Sequence, residues 1–569
     1  MKSLRCRTVV ACLLFVTLFT AACSKKEMVK AEEPLSAIMP MEIPEPADLQ
    51  ASGTMYKLAM ERNYPPPSLA PSHRPPPQPV SAQGFNTEGY DRVSENPFLE
   101  VLKNPLSTFS IDVDTASYTN VRRFINSGKL PPPDAVRSEE LINYFTYEYP
   151  QPTGNIPFSF HTEVTDAPWK PENRLLMIGL QGVKIATEKL PPANLVFLID
   201  VSGSMDQETK LPLLIKSFKL LVGQLRHQDT VAIVVYAGQA GLVLPATSGA
   251  DKQKILAALE SLQAGGSTAG GEGIQLAYRI AAENFKKNGN NRVILATDGD
   301  FNVGASSDAE MERLIEQKRR DGVFLSVLGF GMGNYKDSKM QKLADRGNGN
   351  YAYIDNLLEA RKVLVSQFGG TLLTIAKDVK LQVEFNPAKV KSYRLIGYEK
   401  RMLRPEDFAD DTKDAGELGS GHTVTALYEI VPADGMSVKE DLTYQTTQIK
   451  DGARSSSELA TIRFRYKKPD GETSREIVRK IPATSVALNK AGENIRFAAS
   501  VAEWGMVLRN SEFKGSANYA QVLELARKAK GADNQGYRAE FIRLVEMAEL
   551  LNGASSVHFH DNPDHHNVR

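Results

Sequence analysis

Leu195-Val196-Phe197-Leu198-Ile199 is an unbroken apolar run that ends on an acid, Asp200. A run of this kind is a strand buried on both faces, which is the habit of parallel sheets covered by helices. Shorter apolar runs follow at Thr230–Tyr236, Arg292–Ala296, Val323–Gly329 and Tyr351–Ile354. Between them lie segments with helical periodicity, at 210–226, 252–262, 273–285, 309–320 and 338–346. Strands alternating with helices predict an α/β fold with a doubly wound, mostly parallel sheet. Such open sheets bind ligands at the carboxyl ends of their strands. The loops after Ile199 and after Ala296 are therefore where function is expected.

The flanks have a different pattern. Val379–Phe385 alternates with period two, and so do Val424–Ile430 and Ala460–Tyr466. These read as half-exposed antiparallel strands of a β-sandwich-like unit, followed by a C-terminal helical segment. Strands around 158–165 and 174–182 are expected before the parallel sheet. Each flank is short of strands for a closed sandwich, and an open edge invites aggregation. Strands of 156–190 and 375–470 are therefore expected to pair into one β unit. Ser138 is read as the cap of a short helix, and Ala498, Val501, Trp504 and Leu508 as core positions. The expected organisation is 93–190 as an α+β segment, 191–370 as the parallel-sheet domain, 371–485 as a β-rich segment and 486–553 as helices. A His-rich tail at 554–569 closes the chain.

Three segments at strand ends carry candidate chemistry. Asp200-Val201-Ser202-Gly203-Ser204 follows the buried strand, Gly265-Gly266-Ser267-Thr268 is a flexible loop, and Thr297-Asp298-Gly299 ends a second strand. Acids with hydroxyls are hard oxygen donors, suited to Mg²⁺ or Mn²⁺ rather than zinc. In this order the three segments resemble the von Willebrand factor type A (VWA) domain, over Asn194–Gly370. The resemblance implies a metal-ion-dependent adhesion site. Ser202, Ser204 and Thr268 would bind the ion through hydroxyls, and Asp200 and Asp298 directly or through water. It also implies a protein ligand whose Asp or Glu carboxylate completes the coordination. Asp200 is expected at the solvent edge, so that its replacement would cost little stability. The whole layout is similar to a family of bacterial VWA-domain lipoproteins.

All three cysteines lie within the first 23 residues, so the body holds no disulfide and no thiolate chemistry. Lys2, Arg5 and Arg7 precede an apolar stretch from Val9 to Phe19, which is too short to span a bilayer. Residues 1–22 read as a signal peptide. Thr20-Ala21-Ala22-Cys23 resembles a bacterial lipobox, which would make Cys23 a lipid anchor holding the protein to the cell envelope. Ser24 is not the Asp associated with inner-membrane retention, which favours the outer membrane in a host with two. Residues 23–92 contain twelve of the chain's 32 prolines, between Pro34 and Pro79, and read as an extended tether. Lys plus Arg equals Asp plus Glu at 68 each. This balance argues against nucleic acid as a partner.

Enzymatic readings fare poorly. Gly266-Ser267-Thr268-Ala269-Gly270 has threonine where a nucleophile elbow needs serine, and no P-loop pattern exists. A metal-dependent hydrolase would need a base beside the ion, and Asp300 is the nearby candidate. The leading expectation is a non-enzymatic, membrane-anchored adhesion-type protein. Its alternative is an envelope scaffold or assembly factor whose metal site is structural or vestigial.

Overall fold

The apolar strands assemble as a six-stranded sheet. Its order is Tyr351–Ile354, Val323–Phe330, Asn290–Thr297, Ala193–Asp200, Thr230–Ala237 and Gln239–Ser248. The first five run parallel. The last is an antiparallel edge strand that sequence periodicity did not reveal. Half of its residues are exposed and it pairs antiparallel with its neighbour at the sheet edge, so it lacks the apolar run that marks the other strands. Helices cover both faces. Phe197, Ile199 and Phe330 pack toward the helix Leu211–Gln224, while Leu198, Val293 and Leu325 pack toward Gly270–Glu283 and Asp337–Arg346. This is the doubly wound α/β domain read from the sequence.

The computed structural model describes residues 88–557, except 238, 267–269, 300, 302–307, 334, 368–369, 371–372, 414, 434–447 and 470. Cys23, most of the tether, Thr268, Asp300 and the histidines from His558 onward lie outside the described residues. The described residues fall within one compact unit. Among the described residues no helix is long and apolar enough to cross a membrane.

The two flanks build a shared β unit. One sheet has the order Leu99–Glu100, Val390–Ile396, Thr423–Pro432, Lys170–Gly182 and Phe158–Ala167. Leu427 opposes Met177 across the join between the flanks. A second sheet runs Met402–Leu403, Leu106–Ser110, Thr374–Phe385, Glu458–Lys467 and Ser474–Pro482. Leu381 there faces Phe109 on one side and Phe464 on the other. The expected pairing of 156–190 with 375–470 is thus seen in the first sheet, while in the second the N-terminal partner is the earlier strand Leu106–Ser110. Their facing sides enclose one core, with Leu176, Ile178, Tyr428 and Phe464 among its members.

The far face of the first sheet is not solvated. Helices Ala116–Asn126, Ser138–Asn143, Glu493–Arg509, Tyr519–Lys528 and Tyr537–Val557 lie over Leu175, Met177, Ile396 and Leu427 and enclose a second core around Trp504 and Phe541. The strand Thr423–Pro432, expected to be half-exposed, is therefore buried on both faces over most of its length. Its polar side chains are matched: the Thr425 hydroxyl is hydrogen-bonded to the Tyr149 hydroxyl at 2.9 Å, and Glu429 accepts from Asn173 and Arg394. Ser138 is the first helical residue rather than a cap; the cap position is Arg137, with no side-chain cap. Arg137 is spent elsewhere, on Glu140 and on Asp337 of the parallel-sheet domain. Ala498, Val501 and Trp504 are fully buried, as their spacing implied.

A buried ionic knot joins the layers. Arg122 donates through Nε to Asp355 (2.7 Å), through Nη2 to Glu359 (2.8 Å) and through Nη1 to Glu540 (2.8 Å) and the Tyr144 hydroxyl (3.0 Å). These acids come from the end of the parallel-sheet domain and from the last helix.

Candidate metal centre

Asp200 and Asp298 stand at the carboxyl ends of adjacent strands, where Ile199 registers with Ala296. Parallel strands bring such ends to one edge because all their carbonyl ends point the same way. The backbone then turns: Ser202 is extended and Gly203–Met205 forms one 3-10 turn, which brings the Ser202 and Ser204 hydroxyls within 3.1 Å of each other. The loop before Thr268 is tied to the same turn. Gly265 N donates to Val201 O at 2.8 Å, and Gly203 N donates to Gly266 O at 3.1 Å.

Asp200 is held from both sides. Its Oδ1 accepts from the Ser202 backbone N–H at 2.9 Å, and its Oδ2 from the Tyr236 hydroxyl and the Thr297 hydroxyl, each at 3.1 Å. Burial pushes the Asp200 carboxyl up to about 6, against the pull of the Ser202 hydrogen bonding and with a further rise from the charge of Asp298. Both acids are fully buried, which corrects the expectation that Asp200 lies at the solvent edge. The strand end sits below the loop, and Tyr236, Thr297 and the Ser202 turn close over it. Replacing Asp200 with Ala would strip two buried hydroxyls of their acceptor, so it carries a structural cost of about 1–3 kcal/mol.

Asp298 has a partner that no sequence pattern announced. The Lys210 ammonium lies 2.8 Å from Asp298 Oδ2, and Lys210 is 2% exposed. Its stem runs against Gly331, where an added Cβ would fall 2.4 Å from Lys210 Cε. Lys210 precedes the helix that follows the Asp-x-Ser-x-Ser turn, and a lysine before a helix is read by default as a solvated residue. Tyr236 was also missed. Its signal was available in the register, since it is the residue paired with Asp200 on the neighbouring strand.

The donor set fits a hard divalent cation. Two hydroxyls converge beside an oriented carboxylate, and Ser204 faces solvent, leaving room for a further ligand. Among the described residues no group of three His, Cys, Asp or Glu side chains is arranged to hold a metal ion. The Lys210 charge leaves Asp298 partly neutralised before any ion is considered.

Three family patterns match the chain between residues 84 and 551. The von Willebrand factor type A domain matches 194–366, a second von Willebrand factor pattern matches 84–177, and "Uncharacterized protein YfbK, C-terminal" matches 370–551. The Escherichia coli (strain K12) protein named "Uncharacterized protein YfbK" is 46% identical over 470 residues, 81% of each chain. The Synechocystis protein "Uncharacterized protein sll0103" is 27% identical over 197 residues, 34% of this chain and 45% of that one. Among solved structures, a von Willebrand factor type A protein from Catenulispora acidiphila aligns with 66% of this chain and 88% of its own, at 16% identity and a TM-score of 0.39. VWA2, the ArnB paralog of Sulfolobus acidocaldarius, aligns with 70% and 98%, at 16% identity and a TM-score of 0.35.

Proposed function

Because the chain belongs to the YfbK family of VWA-domain proteins, whose VWA domains typically serve protein–protein interaction, we propose that it is a non-enzymatic, envelope-anchored adhesion-type protein. It would hold a protein ligand through a divalent cation. The observation that carries this reading is the Ser202–Ser204 hydroxyl pair beside a pinned Asp200 at the sheet's carboxyl edge. Ser202, Ser204 and Thr268 would supply hydroxyl oxygens, and Asp200 and Asp298 the charge. When bound, Mg²⁺ or Mn²⁺ supplies an electrophilic position that an Asp or Glu carboxylate of the partner fills. Tyr236 and Thr297 orient Asp200, so that its oxygens need no rearrangement on binding. Cys23 would carry the lipid that holds the protein to a membrane, the outer one in a host with two.

Calorimetry with Mg²⁺ tests the site. Wild type is expected to bind, and Asp200→Asn, which keeps the volume and can still accept from Tyr236, is expected to lose at least about tenfold in affinity, the equivalent of about 1.4 kcal/mol. Equal affinity would discard the site. The Lys210–Asp298 pair favours a second reading, a scaffold whose site works without metal, because an ammonium already neutralises one acid. Partner capture that persists in chelator would select that reading. The anchor is tested separately: labelled palmitate should enter the wild type and not Cys23→Ser, and failure to label the wild type would remove the anchor from the proposal.

A further inference from the structure

Four arginines are buried among the described residues: Arg122, Arg137, Arg292 and Arg394. Three of them sit against carboxylates. Arg122 takes Asp355, Glu359 and Glu540, Arg137 takes Glu140 and Asp337, and Arg394 takes Glu429. Arg292 is the exception. It is 3% exposed, its Nη1 donates to the Ser326 hydroxyl at 2.7 Å, and its Nε has no partner. A guanidinium carries five N–H donors and cannot shed its charge. Burying it without a counter-ion is among the most expensive placements a chain can make. Burial pulls Arg292 down to about 10, with the charge of Glu417 drawing it back up.

The position is specific. Arg292 lies near the amino end of a central strand, between Ala193–Asp200 and Val323–Phe330, at the end of the sheet away from Asp298. It lines a cavity of about 760 Å³ between the parallel-sheet domain and the β unit. Arg319 lines the same cavity, its Nη1 donating to Asn348 Oδ1 at 3.1 Å. Four acids also line it: Asp112, Asp114, Asp345 and Glu417. Arg401 takes the first three as ion pairs. Glu417 accepts a long bond from Asn348 Nδ2 at 3.4 Å and is the acid that the charge of Arg292 senses. Counting the whole lining, eight basic side chains face the cavity against these four acids.

We propose that the cavity beside Arg292 is a binding site for a small oxyanion, a phosphate or carboxylate group, held by the Arg292 guanidinium with Arg319 as second cation. A planar fork of donors matches two oxygens of such a group, and charge-assisted bonds of this kind are the strong ones. The anion would supply the counter-charge that the protein withholds. Glu417 is its internal competitor. This site is separate from the carboxyl-edge metal loops and does not depend on the function assigned to them.

The test uses the full-length chain in chelator, so that cation–anion pairing cannot contribute. Inorganic phosphate and acetate are titrated separately by calorimetry. At least one of them is expected to bind with a Kd below roughly 10 mM. Arg292→Gln should weaken that binding by about tenfold or more, as expected for loss of a charge-assisted pair. Glu417→Gln should tighten it severalfold, a gain that a damaged fold would not produce. Binding of phosphate alone would identify a phosphate group as the ligand chemistry, and of acetate alone a carboxylate. No binding of either anion by wild type would overturn the proposal. So would equal affinity in Arg292→Gln, or, should that variant not fold, unchanged affinity in Glu417→Gln.

Discussion

Arg122→Ala is expected to lose about 3–5 kcal/mol of folding stability, the range for removing one partner of a buried charge network. The substitution leaves Asp355 and Glu359 buried without their cation, and Glu540 partly so, while also removing a donor to the Tyr144 hydroxyl. The damage is not local. Helix Ala116–Asn126, the end of the parallel-sheet domain and the helix Tyr537–Val557 all meet at this one guanidinium. Arg122→Lys should recover only part of the loss, since an ammonium cannot reproduce the two-pronged grip on Asp355. Urea denaturation with matched m-values measures both. A loss below about 1 kcal/mol for Arg122→Ala would mean that the knot is worth no more than a surface pair.

Glu503 gives the second large effect, and its sign depends on pH. It lies fully buried in the helical core, and neither carboxyl oxygen has a hydrogen-bond partner. Burial pushes it up to about 8, outweighing the pull of the Asn518 backbone N–H, which lies too far or too poorly aligned for a full hydrogen bond. The folded value is above the ordinary carboxyl value of about 4.3, so the folded state favours the protonated form. That preference is fully present below about pH 4 and is lost as pH rises through 8. In this window wild type should lose about 1.4 kcal/mol per pH unit relative to Glu503→Gln. Between pH 5 and 7 the variant should thus gain close to about 3 kcal/mol on wild type. Glu399, also raised to about 8 by burial and by Glu139, adds its own slope to both proteins and cancels in the difference. Denaturation midpoints at pH 5, 6 and 7 decide the matter; a difference that stays flat with pH would refute it.

Much of the fold could be read along the chain because its strongest signals are local. The run Leu195–Ile199 predicts a doubly buried strand from five consecutive residues, and Asp-x-Ser-x-Ser places an acid and two hydroxyls on one turn. What could not be read depends on distant neighbours. Lys210 and Asp298 are 88 residues apart and meet only once the sheet has formed. Thr425 and Glu429 make the strand Thr423–Pro432 look half-exposed, because polar residues at alternate positions usually face water. Here Tyr149, Asn173 and Arg394 satisfy them under a layer of helices. The strand Gln239–Ser248 escaped for the opposite reason: it is an edge, and exposure erases the apolar pattern on which recognition rests. Arg292 carried no signal at all, since an arginine in an apolar run reads as a strand end.

The shared β unit also dictates an order of events during synthesis. Phe109 finds its partner at Leu381, and Met177 at Leu427, so both strands leave the ribosome some 250 residues or more before their partners do. At about 5–20 residues per second that is a wait of tens of seconds. The parallel-sheet domain lies wholly within that interval and has every one of its own strands to hand. It is therefore the first part able to close, and its closure brings the two flanks within reach of each other. Until then the early strands present open edges, the form in which chains aggregate. A chain stopped after residue 366 would keep that exposure permanently. Chaperone demand should accordingly fall on the nascent N-terminal segment rather than on the domain that carries the metal loops.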